Sequence, residues 1–304
     1  MSDKVNGHDC MRVDYLPQLN YAVWLNGQQC LRRVEIDNQS NNDWKDVTVS
    51  LTGDLLVRSE EHVELIPRGQ AVALRQLQIV PDADTLRQLT ESVVTHFKLT
   101  VATGDAILCE GDYELRLLPF DQWPGATTSP ELLSAFVTPN CDQLAAVKVH
   151  AAELLKKLTG QSALDDYQTQ DPNRVRAQVA CLFAALRSEG LVYSTPPASF
   201  EKTGQRVRLT QQVLAQKLGT CLDLSLLMAS CLESCGLHPL VLLLKGHAMT
   251  GCWLTNKYYN HTVGDDASLL LKSAANGINE LVLLDATALT SGSGSFEDAV
   301  DVAE

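Results

Sequence analysis

Gly219-Thr220-Cys221-Leu222-Asp223-Leu224-Ser225-Leu226-Leu227-Met228 is the stretch whose reading decides the fold. From it, apolar residues recur at Leu224, Leu227, Met228, Cys231 and Cys235. That three-and-four spacing marks one face of a helix. Gly236 follows as a C′ stop. Thr220 suits an N-cap, and Asp223 three residues on comes close to a capping box. Cys221 therefore falls in the first helical turn. Free backbone N–H groups and the positive end of the helix dipole favour a thiolate there, the environment a nucleophilic cysteine needs.

Downstream, the apolar run Pro239 to Leu244 leads to Lys245-Gly246, which reads as a tight turn, and His247 opens a second strand. Leu281-Val282-Leu283-Leu284-Asp285-Ala286-Thr287 reads as a third strand ending in a carboxylate. Strands over 239–245, 247–254 and 281–287 are expected to form a sheet on which the Cys221 helix packs. The order is helix-borne Cys221, strand-borne His247, strand-borne Asp285. In such a triad the histidine takes the thiol proton and the aspartate fixes the imidazole tautomer. His261 is a rival base in the polar, aromatic run Lys257 to Asp266, off any evident strand. Upstream, Leu191 to Phe200 is extended and broken by Pro196-Pro197, and a short helix over about Gln211 to Leu218 delivers the chain to Cys221.

Gly219 to Leu254, with Leu281 to Thr287, resembles the transglutaminase-like branch of the papain-type cysteine enzymes. The family pattern is Gly-x-Cys-x-Asp on a helix, His-Ala on a strand, then Asp-x-Thr. All three boxes are present, with a departure at Met249, where many such domains carry an aromatic. The whole chain also resembles the N-terminal region of large bacterial proteins that continue into a superfamily 1-type helicase. That likeness rests on Phe200 to Arg208, Gly219 to Asp223 and Gly246 to Ala248. The first resemblance implies a Cys221–His247–Asp285 triad. In papain-type enzymes a side chain upstream of the cysteine often joins the cysteine N–H in holding the oxyanion. Gln205 is the candidate, with Gln212 behind it, and the spacing does not decide between them. The second resemblance implies a C-terminal helicase as partner.

The chain has 304 residues, enough for two domains, and is 45% hydrophobic and 20% charged. A net charge of −13 argues against this segment gripping a phosphate backbone. Nine cysteines without CxxC spacing, no apolar signal core at the start and no bilayer-long apolar run point to free thiols in the cytoplasm, with no membrane partner. No cofactor or metal is expected: Cys231 and Cys235 share a helix face without a histidine pair at zinc-ligand spacing.

The fold class expected is α+β. Residues 1–19 read as a loose N-terminus. Residues 20–120 read as an immunoglobulin-like β-sandwich of short strands, the first at Tyr21–Leu25, separated by turn signals such as Thr103-Gly104-Asp105. Residues 121–130 read as a linker, 131–290 as the transglutaminase-like domain, and 291–304 as a flexible link and the start of a truncated helix of a longer protein. Helices are expected over Glu131–Val137, Asp142–Leu158 and Pro172–Ser188. The expected activity is cysteine-dependent acyl transfer on a protein or peptide substrate, with hydrolysis favoured because it needs no second substrate site. The alternative is a catalytically inert binding or regulatory module of the same fold.

Overall fold

Alternation of apolar and polar residues makes strands of the first part of the chain. The computed structural model describes residues 10–303 apart from 26, 28, 129, 260, 276, 291 and 293. The chain divides into two compact units, Met1–Gln122 and Trp123–Glu304. The division falls within the stretch expected to be a linker. Both helices and sheets are present, so the architecture is mixed α+β.

The first unit runs β1 (Met11–Tyr15), β2 (Gln18–Leu19), α1 (Tyr21–Leu25), β3 (Leu31–Asp37), β4 (Trp44–Gly53), β5 (Leu56–Ile66), β6 (Ala71–Leu74), β7 (Val80–Pro81), α2 (Ala83–Gln88), β8 (Val93–Thr103) and β9 (Ala106–Leu117). One sheet has the order β1-β3-β6 and the other β2-β9-β8-β4-β5-β7. Val47, Val49 and Leu51 of β4, Phe97, Leu99 and Val101 of β8, and Tyr113, Leu115 and Leu117 of β9 are all buried. Their period of two puts them on one face, as a half-buried sheet requires. Tyr15 carries the other sheet onto that face, edge-on to Phe97 and Tyr113 at centroid distances of 5.1 and 5.9 Å.

Three expectations for this unit are corrected. Tyr21–Leu25 is a helix, because Asn20 accepts the Val23 N–H at 2.8 Å and nucleates a turn that a five-residue apolar run cannot reveal. Residues 11–15 and 18–19 are strands, and β1 pairs antiparallel with β3; residues 1–9 lie outside the described residues. Cys10 and Cys109 are joined in a disulfide across 99 residues, so not every thiol is free. Both cysteines are too far apart in sequence for spacing to show the pairing. Among the described residues no helix is long and apolar enough to cross a membrane.

In the second unit, β10 (Gln122–Trp123) runs across the division and a 3₁₀ helix occupies Pro130–Phe136. Then come α3 (Leu144–Thr159), α4 (Pro172–Arg187), β11 (Val192–Tyr193), α5 (Phe200–Thr203), β12 (Gln205–Arg206), α6 (Thr210–Gln216), β13 (Leu218–Gly219) and α7 (Cys221–Glu233). The remainder is β14 (Pro239–Leu244), β15 (His247–Trp253), α8 (Ser268–Ala274), β16 (Leu281–Leu284), a 3₁₀ helix at Ala286–Leu289, and α9 (Phe296–Ala303). Sheet β14-β15-β16 is antiparallel throughout. Asp171 caps α4 through the Asn173 N–H, with Pro172 in the first turn, and the α4 stripe Val175, Val179, Leu182, Phe183 and Leu186 is entirely buried.

Every residue of α7 from Cys221 to Leu232 is buried. It is thus the central helix of this unit, buried all round rather than on one face. Leu224, Leu227, Met228 and Cys231 join α3, α4, β15 and β16 in one core. Residues 296–303 do not stand apart from it, contrary to expectation. Ala299 and Val300 lie in the same core, and Phe296 meets Phe183 edge-on at 5.7 Å.

Candidate active site

Three separate stretches converge where α7 begins. Thr220 adopts extended backbone and its hydroxyl accepts the Asp223 N–H at 3.2 Å; Asp223 in turn accepts the Thr220 N–H at 2.9 Å. This reciprocal capping box fixes Cys221 as the first helical residue. Asp223 is fully buried and also takes the Arg208 N–H at 2.9 Å and the Arg208 guanidinium at 3.2 Å. Burial pushes its carboxyl above the usual range, against the pull of the Thr220 and Arg208 donors. The segment before α6 is thereby bound to the start of α7.

His247 comes from β15. Lys245-Gly246 closes the β14–β15 hairpin, with Gly246 at φ +72°, and pairs Leu244 with His247. The Thr250 hydroxyl donates to the Ser225 carbonyl at 3.0 Å, which clamps β15 along α7. Asp285 follows β16, whose Leu284 pairs with Thr250. It is not part of the strand: it caps the 3₁₀ helix Ala286–Leu289, a boundary that an apolar run ending in Asp-Ala-Thr leaves open. Its Oδ1 accepts the Thr287 N–H at 2.9 Å and the Thr287 hydroxyl at 2.7 Å. Its own N–H donates to the Ala299 carbonyl at 2.9 Å, so α9 helps to hold it. Its Oδ2 lies 3.3 Å from His247 Nε2. A carboxylate there keeps the ring proton on Nε2 and leaves the Nδ1 lone pair for another proton.

Cys221 is fully buried. The Ala248 N–H, in the residue after His247, the Tyr193 hydroxyl and the Leu222 N–H lie near enough to its sulfur to favour a thiolate there. Burial nonetheless pushes the thiol above its ordinary value, with the Asp223 charge adding to the rise and those three donors opposing it. The helix start does not by itself yield a thiolate, as the sequence led us to expect. Desolvation of the sulfur outweighs the first-turn donors.

The structure thus brings His247 against Asp285 and sets the sulfur of Cys221 on the backbone beside His247. Gln205 is buried on β12, and its Nε2 donates to the Thr220 hydroxyl at 3.0 Å, while its Oε1 is buried without a hydrogen-bond partner. Gly125 and Gly204, both at positive φ, let residues 123–125 and 202–204 approach so closely that a Cβ at either would strike backbone, which sets the path into Gln205. Gln212 accepts the Leu209 N–H at 2.9 Å and so caps α6. His261 is exposed in the segment between β15 and α8. Tyr193 was not singled out in the sequence. A two-residue parallel pairing of β11 with β13, 26 positions on in register, brings it to the sulfur, and no local pattern signals that.

An open cleft of about 530 Å³ lies in the first unit, lined by residues that include Trp24, Cys30, Arg33, Arg75 and Gln78. Among the described residues no three His, Cys, Asp or Glu side chains are gathered as for a metal ion. Compared with known proteins, the chain matches no family model and shows no significant similarity to a curated protein.

Proposed function

We propose that the second unit is a papain-type, transglutaminase-like domain and a cysteine-dependent acyl-transfer enzyme, a protease or amidohydrolase acting on a protein substrate. The observation that carries this reading is the His247 Nε2–Asp285 Oδ2 pair at 3.3 Å, carried on the strand whose Ala248 N–H meets the Cys221 sulfur. With the resting thiol neutral, attack and proton transfer go together. The Cys221 proton passes to His247 Nδ1 as sulfur bonds to the acyl carbon. The oxyanion is met by N–H groups of the first turn of α7, with Gln205 as a further donor once its amide leaves Thr220. Collapse expels the amine, which takes the proton from His247, and leaves a thioester. Water, deprotonated by His247, then releases the acid and the thiol. An amine in place of water gives transamidation instead.

By the same proposal the first unit is an immunoglobulin-like sandwich serving interaction or spacing. The chain is the N-terminal part of a larger bacterial helicase-containing protein, in which nucleic acid contacts belong to the helicase. The compartment proposed is the cytoplasm. The Cys10–Cys109 disulfide weighs against it, since a reducing compartment opens such bonds; thiol trapping at cell lysis decides the point.

The test is hydrolysis of denatured protein and of amide substrates, with active-site labelling read by mass spectrometry. His247→Ala is expected to lower turnover near neutral pH about 10²–10⁴-fold, the range for a positioned general base. Loss of the first-unit His96 should leave it unchanged. Equal turnover in wild type and His247→Ala ends the enzyme reading. Full burial of Cys221 favours a second reading, an inert binding module of the same fold. Wild-type protein without turnover or Cys221 labelling supports that one.

A further inference from the structure

The floor of the 530 Å³ cleft in the first unit is a stretch of open strand edge. β3 pairs with β1 from Leu31 to Ile36, but with β6 only from Val34 onward, where Val34 faces Leu74. Past Leu74 the chain leaves β3 because Glu61 takes it. One Glu61 oxygen accepts the Arg75, Gln76 and Leu77 N–H groups at 3.0, 2.7 and 3.1 Å. Leu31, Arg32 and Arg33 therefore have no strand beside them on the β6 side among the described residues. β3 also bulges here. Leu31 and Arg33 pair with the consecutive Tyr15 and Asp14, so Arg32 is the extra residue. The bulge breaks the alternation and leaves Arg32 and Arg33 both exposed between buried Leu31 and Val34. Exposed Arg75 joins them in lining the cleft, whose lining residues include no aspartate or glutamate. Arg33 meets Glu35 at 3.1 Å, whereas Arg32 and Arg75 meet no carboxylate among the described residues. In a chain of 37 acidic and 24 basic residues, this wall is a local reversal of sign. Trp24, Leu77 and Ile79 add apolar surface to it.

We propose that this cleft docks an extended acidic peptide, which adds to β3 along Leu31–Arg33 where β6 has turned away and sets its carboxylates against Arg32 and Arg75. The strand edge supplies backbone pairing, and the arginines select the charge. An added strand alternates its side chains, so the segment that fits carries acidic residues on one side and apolar residues on the other, toward Trp24, Leu77 and Ile79. A nucleic acid brings the charge without peptide groups to pair with the edge, and the −13 of the whole chain repels a polyanion. Exposed charges make the binding salt-sensitive. The inference rests on the interaction role proposed for the first unit, to which it gives a place and a partner class, and is independent of the chemistry at Cys221.

The experiment titrates the full chain into a rhodamine-labelled hexapeptide of alternating glutamate and valine and reads fluorescence anisotropy. The peptide is expected to bind, less tightly as salt rises, and its counterpart with lysine in place of glutamate is expected not to. Methylating alternate peptide nitrogens keeps the charge and removes the backbone donors; this should weaken binding about 10-fold, the equivalent of one or two hydrogen bonds. Arg32→Glu with Arg75→Glu should weaken it about 10-fold or more, while Lys45→Glu with Lys98→Glu, the same change of charge on β4 and β8, should leave it within about 2-fold. Equal binding of the lysine peptide overturns the proposal, as does indifference to N-methylation. Displacement by oligothymidine at a lower concentration than by unlabelled peptide overturns it in favour of a nucleic acid. Peptide binding that survives Arg32→Glu with Arg75→Glu removes this cleft and leaves the interaction role of the first unit standing. A wild-type chain that binds neither peptide removes both.

Discussion

In the first unit, buried polar side chains hold turns. Asn38 donates to the Asn42 and Ile66 carbonyls at 2.8 and 2.9 Å and accepts from Ser40, and Asn20 caps α1. In the second unit Arg174 and Gln178 likewise hold the loop before α4, but Gln205, Thr220, Asp223 and Ser225 come together around the start of one helix. The Asn38 amide has each described bond satisfied locally, while Gln205 Oε1 and Ser225 Oγ are buried without partners. Burying a polar atom unpaired is costly. Trp253 Nε1, Thr255 Oγ1 and Tyr259 Oη are buried without partners too, so in the second unit such atoms extend beyond the start of α7.

The sharpest way to break this contrast is reduction. Opening the Cys10–Cys109 bridge, which closes 99 residues, should destabilise the first unit by about 4–5 kcal/mol and leave the second unit's unfolding midpoint where it was. Urea unfolding with and without dithiothreitol, followed by limited proteolysis of each unit, reads the two separately. Equal loss in both units would erase the distinction. Next in size are the polar deletions. Asp223→Ala removes the acceptor for Thr220 and Arg208 and should cost the second unit about 2–4 kcal/mol, whereas Asn38→Ala should cost the first about 1–3. The Asp223 change also removes a charge that raises the Cys221 thiol and should speed Cys221 labelling, and the Asn38 change should leave it unaltered.

Alkali gives the smallest effect per group. A thiol or phenol whose folded value is raised stays protonated while the unfolded chain ionises near 9 or 10. Its contribution is full below those values and is lost as pH climbs through the folded one. Burial raises Cys181, Cys221, Cys231, Cys235, Cys252 and Tyr167 in the second unit, against Cys30 (to about 11), Tyr15 and Tyr113 (to about 12) in the first. At about 1.4 kcal/mol per pH unit for each group, the second unit should become protease-sensitive first as pH rises from about 9 to 11. Simultaneous loss would mean that the buried thiols are not what separates the units.

The parts legible beforehand were those with a local cause. The Thr220–Asp223 cap, the Lys245-Gly246 hairpin and the α4 stripe depend on residues within a few positions of one another, and each formed as the spacing implies. What escaped depends on partners far along the chain. Tyr193 meets the sulfur through a pairing with Leu218–Gly219, Cys10 finds Cys109, and α9 packs back onto α4. The ionisation of Cys221 was misread for the same reason. The dipole of the first turn is visible in sequence, but the burial that outweighs it comes only with the tertiary fold.

The two oxygens of Asp285 are already assigned, one to the Thr287 turn and the other to the imidazole. Were an amide to stand there, the turn would keep the oxygen and thereby aim the NH₂ at Nε2. The imidazole proton would have to migrate to Nδ1, and the lone pair that the proposed mechanism uses as its base would vanish. A bend in the backbone, formed for folding, thus dictates which way a ring some forty residues earlier carries its hydrogen.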